Sequence, residues 1–197
     1  MPVSAPDAAS ASPAGLTLSS ASTDVVELAA RRERVQVLKA LAARRALALP
    51  ALGRVVAARE TLSLCVRPGR WLLLTAPATA GMTALRWQEA CTGMAAVVDL
   101  SSGLHALHLA GAQAREALAR GCRLDLDPQV FPAGHAAATM IAQVAAILAA
   151  LPAGMLILTP ASTAQHFREW LEGASRSFGL VRGAGVTFST LSGDSNS

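Results

Sequence analysis

The sequence predicts an α+β protein with helices packed on mostly antiparallel sheet. Three observations carry this. Apolar runs of strand length come in pairs around turn signals, at 61–66 with 71–75 and at 95–100 with 104–109. Segments with helical spacing follow those pairs, at 79–92, 112–120 and from residue 162 onward. Hydrophobic residues make up 52% of the 197, ample for a core.

In chain order, residues 1–23 are almost wholly Ala, Ser, Pro, Thr and Gly with Asp7 as the charge, and read as a tail. Val35-Gln36-Val37-Leu38 alternates like a strand, and Leu41, Ala42, Leu49 and Leu52 then follow at helical spacing, closed by Pro50 and Gly53. The hairpin runs flank Arg67-Pro68-Gly69-Arg70, whose Pro-Gly step is a turn signal. A helix over 79–92 ends near Gly93. The next pair of runs flanks Ser101-Ser102-Gly103, and Gly121 stands where a left-handed cap would end the helix at 112–120. A loop at Phe131-Pro132-Ala133-Gly134 precedes 135–151, which propensity alone reads as helix because it is alanine-rich. Residues 155–159 read as a strand. In the last helix Ser162 and Gln165 have the spacing of a capping box. Phe167, Trp170, Leu171, Ala174 and Phe178 then form its apolar face, with Arg168, Glu169 and Glu172 toward water. The expected organisation is a tail (1–23), two α+β units sharing a core (24–94 and 95–182) and a second tail (183–197).

Charge and composition exclude several classes. Charged residues are 15% of the chain, well below the ~25% of an average soluble domain, which suits a surface partly covered by partners. The net charge of +4 is not organised for nucleic acid: there is no tyrosine, and aromatic residues are not interleaved with the basic groups Arg31, Arg32, Arg34 and Lys39, Arg44, Arg45. Cys65, Cys91 and Cys122 are far apart without metal spacing and read as reduced thiols of a cytoplasmic protein. Residues 1–22 have neither the basic nor the apolar region of a signal peptide. The apolar stretch 136–158 is long enough to span a bilayer, but Pro152-Ala153-Gly154 cuts it and neither end carries an aromatic or basic flank.

The search for chemistry names candidates without assembling a site. His105 and His108, three apart on a strand, point to opposite faces and cannot share an ion; His135 and His166 stand alone. Asp125 and Asp127 would share a face, but Pro128 follows and favours a turn. Asp99 with Ser101 and Ser102 could meet a ligand, but the favoured reading is that it satisfies its own turn. There is no glycine-rich phosphate loop and no G-x-S-x-G elbow. No catalytic, cofactor-binding or metal-binding residue is assigned.

The order of segments carries a resemblance. Pro68-Gly69-Arg70-Trp71-Leu72-Leu73 is followed by Val98-Asp99-Leu100-Ser101-Ser102-Gly103 and by Leu109-Ala110-Gly111-Ala112-Gln113-Ala114-Arg115. Then come Leu118-Ala119-Arg120-Gly121-Cys122-Arg123-Leu124-Asp125-Leu126, Phe131-x-x-Gly134 with Thr139, the Trp170-Leu171 helix, and Ser177-Phe178-Gly179-Leu180. Over roughly residues 25–180 this series resembles the gamma subunit of bacterial heterotetrameric sarcosine oxidase, a reduced relative of the folate-binding domain of the glycine cleavage T protein. Leu158-Thr159-Pro160-Ala161-Ser162 departs from that family, which often carries an arginine-serine step there.

The resemblance implies ferredoxin-like α+β units, and makes 135–151 a pair of strands with 139–143 extended, which would also remove the bilayer span. It implies a non-catalytic subunit that supports assembly with alpha, beta and delta subunits. In such a complex FAD, FMN, NAD, tetrahydrofolate and zinc are carried by the other subunits. Together these oxidatively demethylate sarcosine to glycine, with hydrogen peroxide and formaldehyde or 5,10-methylenetetrahydrofolate. The alternative expectation is a free-standing tetrahydrofolate-binding protein of the same superfamily.

Overall fold

The computed structural model describes residues 15–58, 60–187 and 191. Its central feature is a pair of sheets stacked face to face, each covered by helices on its outer side. The five-stranded sheet contains β2 (Asp24–Ala30), β3 (Arg54–Ala58), β4 (Thr61–Arg67), β5 (Arg70–Thr75) and β6 (Ala95–Asp99), in the order β3-β4-β5-β2-β6. The six-stranded sheet contains β1 (Thr17–Ala21), β7 (Leu104–Ala110), β8 (Ala136–Ile141), β9 (Val144–Leu151), β10 (Gly154–Pro160) and β11 (Val181–Arg182), in the order β11-β1-β7-β10-β9-β8. The short β1–β11 pair is parallel; the other strand pairs are antiparallel.

Side-chain alternation along the strands builds three apolar layers. Leu62, Leu64, Leu72 and Leu74 of one sheet meet Ala149, Leu151, Leu156 and Leu158 of the other between the sheets. On the outer face of the smaller sheet, Leu28, Trp71 and Leu73 pack with Leu38 and Ala42 of α1 (Val35–Arg44) and, at the margin, Trp87 of α2 (Met82–Ala90). On the outer face of the larger sheet, Leu107, Leu109, Met155 and Ile157 pack with Leu118 of α3 (Ala114–Ala119) and Phe167 and Leu171 of α4 (Ala164–Ser175). Among the described residues no helix is long and apolar enough to cross a membrane, and 136–158 forms strands.

Several expectations need correction. Residues 17–21, expected within a tail, are β1, paired with β7 over five positions. The alternation at Val35–Leu38 is the first turn of α1, because Val35, Leu38 and Ala42 lie on one helical face toward Trp71. That helix ends at Arg44 rather than near Pro50. Ala46 adopts φ 56°, its amide donates to Ala43 O, and the Leu47 amide reaches back to Ala42 O at 2.9 Å. This is a Schellman cap with alanine where glycine is usual. The runs at 95–100 and 104–109 do not pair with each other: β6 pairs with β2 in the smaller sheet, whereas β7 crosses to the larger one between β1 and β10. Gly183 and Val186, expected in the C-terminal tail, donate backbone bonds to Leu18 and Ser20 of β1, and Leu191 is buried.

At α4 the capping box does not form. Thr163 Oγ1 instead donates to Pro160 O, and Gln165 donates to Glu169. Arg168 and Glu172 do not point to open water: Arg168 bonds Ser20 Oγ at 2.8 Å, and Glu172 pairs with Arg182 at 2.6 Å. Gly121 is not left-handed. It is needed because a Cβ there would overlap the Trp170 ring and sit 3.2 Å from Ala142 N. The β8–β9 hairpin is as the resemblance implies, except that Ala142 and Gln143 form its two-residue turn, with φ 49° and 64°, instead of continuing the strand. Positive φ at both central residues defines a type I′ turn, for which Asn-Gly is the preferred pair.

Two expected outcomes follow from these backbone demands. Gly121→Ala should cost about 1–3 kcal/mol through overpacking against Trp170, read from a denaturant titration; a neutral result would place Trp170 elsewhere. Ala142→Asn with Gln143→Gly should stabilise the chain by about 1 kcal/mol, because left-handed backbone is costly for alanine and glutamine. Thermal melting would register this as a rise of about 2–4 °C.

Candidate functional site

The candidate polar residues are dispersed, and the aspartates among them hold local backbone. Asp99 Oδ1 accepts the Ser101 amide at 2.9 Å, and the Val25 amide donates to Ser101 Oγ at 3.0 Å, so this pair fixes the crossing from β6 toward β7. The bonds from Ser101 hold the Asp99 carboxyl below the ordinary aspartate range. Ser102 is exposed. Asp125 Oδ1 accepts the Asp127 amide and Asp127 Oδ1 accepts the Gln129 amide, two successive Asx turns instead of an acid–base pair.

The histidines also separate. His105 faces α4, where its Nε2 lies 3.0 Å from Arg168 Nη2 and accepts from the guanidinium. His108, on the opposite face of β7, is 4% exposed, and its buried Nε2 has no hydrogen-bond partner among the described residues. His135 links the two sheets at one corner, with Nδ1 3.1 Å from Arg54 Nη1 beside the Arg54–His135 bridge. His166 lies exposed on α4. Cys65 and Cys91 are buried on the outer side of the smaller sheet, and burial pushes both thiols up; Cys122 is half-buried at the end of α3, and all three are free. Among the described residues no three His, Cys, Asp or Glu side chains gather as a metal site would require.

Two concavities are of note. One, of about 360 Å³, lies between the Pro152–Gly154 turn and the start of α3. Its charged residue, Arg115, is already committed through Nη1 to the carbonyls of Leu126 (2.8 Å) and Phe131 (2.7 Å). The other, about 110 Å³, opens at the edge of the inter-sheet layer, where Val66, Leu100, Leu104 and Ile147 meet Arg67, Arg70 and Glu27. The sequence showed the arginines of 67 and 70 only as turn flanks, and nothing local signals that β9 would bring Ile147 to them.

His105 and His108 give a pH dependence. Burial is the larger cause that holds both imidazoles below the ordinary value of 6.5, aided at His105 by Arg168 and opposed at His108 by the neighbouring Ala153 backbone. The unfolded chain therefore binds more protons than the folded one once pH falls below about 6.5, and stability declines from there toward the lower folded values. In urea titrations the midpoint contributed by these groups should be flat above about pH 7 and fall below about pH 6.5. His108→Gln should shrink that fall; an unchanged slope would mean that His108 is solvated.

Comparison with known proteins fits this architecture. The sequence profile of the sarcosine oxidase, gamma subunit family matches residues 31–177. A solved chain of the heterotetrameric sarcosine oxidase from Corynebacterium sp. U-96, in complex with pyrrole 2-carboxylate, superposes with a TM-score of 0.74 at 29% identity, over 87% of this chain and 89% of that one. The glycine cleavage system aminomethyltransferase T from Bartonella henselae superposes with a TM-score of 0.64 at 18% identity, a likeness of fold that covers 86% of this chain and 48% of that one. No curated protein sequence gives a match. With its profile matching about three quarters of the sequence, the chain belongs to the sarcosine oxidase gamma subunit family.

Proposed function

We propose that this chain is a non-catalytic subunit of a cytoplasmic heterotetrameric sarcosine oxidase, where it supports assembly with the alpha, beta and delta subunits. The observation that carries the reading is the end-to-end correspondence with a chain of the Corynebacterium oxidase, 87% of one against 89% of the other, together with the family match. In this reading the flavins, NAD, tetrahydrofolate and zinc belong to the other subunits. The chemistry is oxidation at the CH–NH group of sarcosine, releasing glycine with hydrogen peroxide and formaldehyde or 5,10-methylenetetrahydrofolate. This chain contributes no acid, base or nucleophile to it.

Two features of the molecule support a structural role. Asp99, Asp125 and Asp127, the carboxylates that looked most like reactive groups, each accept a backbone amide in a turn. The surface also leaves apolar side chains uncovered, among them Val37, Leu52, Leu85, Val98, Val130 and Val181 at 44–59% exposure, as suits a chain with neighbours.

Purification of the tagged chain from its native host tests the reading. A yellow assembly of four different chains that oxidises sarcosine is the expected result, and the FAD and FMN should remain with the other chains when this one is dissociated. A colourless monomer that binds tetrahydrofolate would overturn the reading in favour of a free-standing folate protein.

A further inference from the structure

The smaller sheet gathers a basic cluster that lies scattered in the sequence. The Ala30 amide donates to Gly69 O at 2.9 Å, and Gly69 lies against Val35 at the start of α1. Residues 31–34 therefore stand beside the tip of the β4–β5 hairpin. Arg31, Arg32, Arg34, Arg67 and Arg70 are all exposed there. Within 27–34 and 67–70 the carboxylates are Glu27 and Glu33, and Glu27 is already held by Arg70 at 2.6 Å. Five arginines against two carboxylates concentrate positive charge at one end of a chain whose net charge is +4.

The cluster borders the 110 Å³ apolar groove, since Arg67 and Arg70 line the same opening as Val66, Leu100, Leu104 and Ile147. Arginine fringing an apolar slot fits a protein segment that combines carboxylates with an aliphatic or aromatic side chain. It fits a nucleic acid poorly. The aromatic residue next to these segments, Trp71, is 2% exposed and packs on the α1 side, so it offers no platform for a base.

We propose that this end docks an acidic segment of another subunit, with carboxylates against Arg31, Arg32, Arg34 and Arg67 and one apolar side chain in the groove. The inference rests on the subunit reading above and adds to it the surface and the chemistry of the contact. Charge pairs at such a rim govern association rate and salt sensitivity, while the inserted side chain limits dissociation.

The test uses the co-expressed full-length complex. Glu33→p-benzoylphenylalanine places a photocrosslinker inside the cluster, and Glu169→p-benzoylphenylalanine on the exposed face of α4 serves as a control. Crosslinking from position 33 to an Asp- or Glu-containing stretch of another subunit is expected. So is a loss of about tenfold or more in partner capture for Arg31→Glu with Arg67→Glu, whose parent capture weakens as salt rises. Both arginines are exposed, so the melting profile of the double variant should match the parent; if it does not, the position 33 crosslink decides. If partners co-purify with the parent but position 33 crosslinks none of them, or the double variant retains full capture, the surface assignment fails while the subunit reading stands. Crosslinking to nucleic acid would overturn the assignment as well. If the parent captures no partner, both fall together.

Discussion

The apolar layer between the two sheets is the constraint on which the rest of the molecule depends. Each central strand has one face against the other sheet and one against helices, so both faces must be apolar. In β5, Leu72 and Leu74 enter the inter-sheet layer while Trp71 and Leu73 pack toward α1; in β10, Leu156 and Leu158 face inward while Met155 and Ile157 meet α3 and α4. Charge is thereby driven to turns, strand edges and outer helix faces, which accounts for a charged fraction of only 15%. Polar groups caught in the interior need local partners. Ser63 bonds the carbonyls of Ala48 and Val56, and Trp71 Nε1 donates to Pro50 O, so the segment after α1 is tied onto the sheet it covers.

The same layering determines what the sequence disclosed. Strands buried on both faces appear as mainly apolar runs, which is why 61–66, 71–75, 104–109 and 155–159 were readable. Such runs carry no information on which sheet they join. The short turn at Ser101–Gly103 looked like a hairpin, yet Asp99 and Leu104 belong to different sheets. β1 was hidden because Thr-Leu-Ser-Ser-Ala is polar and small, and it is a strand only because β7 and β11 flank it. The alanines of 136–151 favour helix in isolation. In the fold, small side chains at Ala136, Ala149 and Ala150 allow the layers to approach, so tertiary packing overrides propensity.

Caps and turns were the other weak point, for a physical reason that recurs. Rules for chain reversal rely on Gly, Asn and Asp, and positions such as Gly69 and Gly93 obey them, but Ala46, Ala142 and Gln143 adopt positive φ with ordinary side chains. Their surroundings hold them: Ala46 in a two-bond Schellman cap, and Ala142 through its amide to Gly121 O at 3.0 Å. Conversely Gly121, which looked like a cap, is a packing glycine under Trp170, beside Arg120 whose guanidinium lies 4.3 Å over the Phe178 ring and donates to Ala174 O. A glycine can be required by φ or by space, and only the folded chain distinguishes the two.

Candidate chemistry follows the same logic. Spacing alone rightly separated His105 from His108 and favoured turns at Asp99 and at Asp125–Asp127, because those arguments depend only on strand alternation and local hydrogen bonding. The basic cluster could not be read that way. Arg31, Arg32 and Arg34 are neighbours in sequence, but Arg67 and Arg70 reach them only because β2 pairs with β5 and places Gly69 against Ala30. Ile147 reaches the same opening from the other sheet, a separation of more than seventy residues that only the stacking of the two sheets closes. A catalytic device can announce itself by local spacing, whereas an interaction surface is assembled by topology. Asp99, Asp125 and Asp127 are held by their own turns, whereas the basic cluster exists only once the two sheets are assembled.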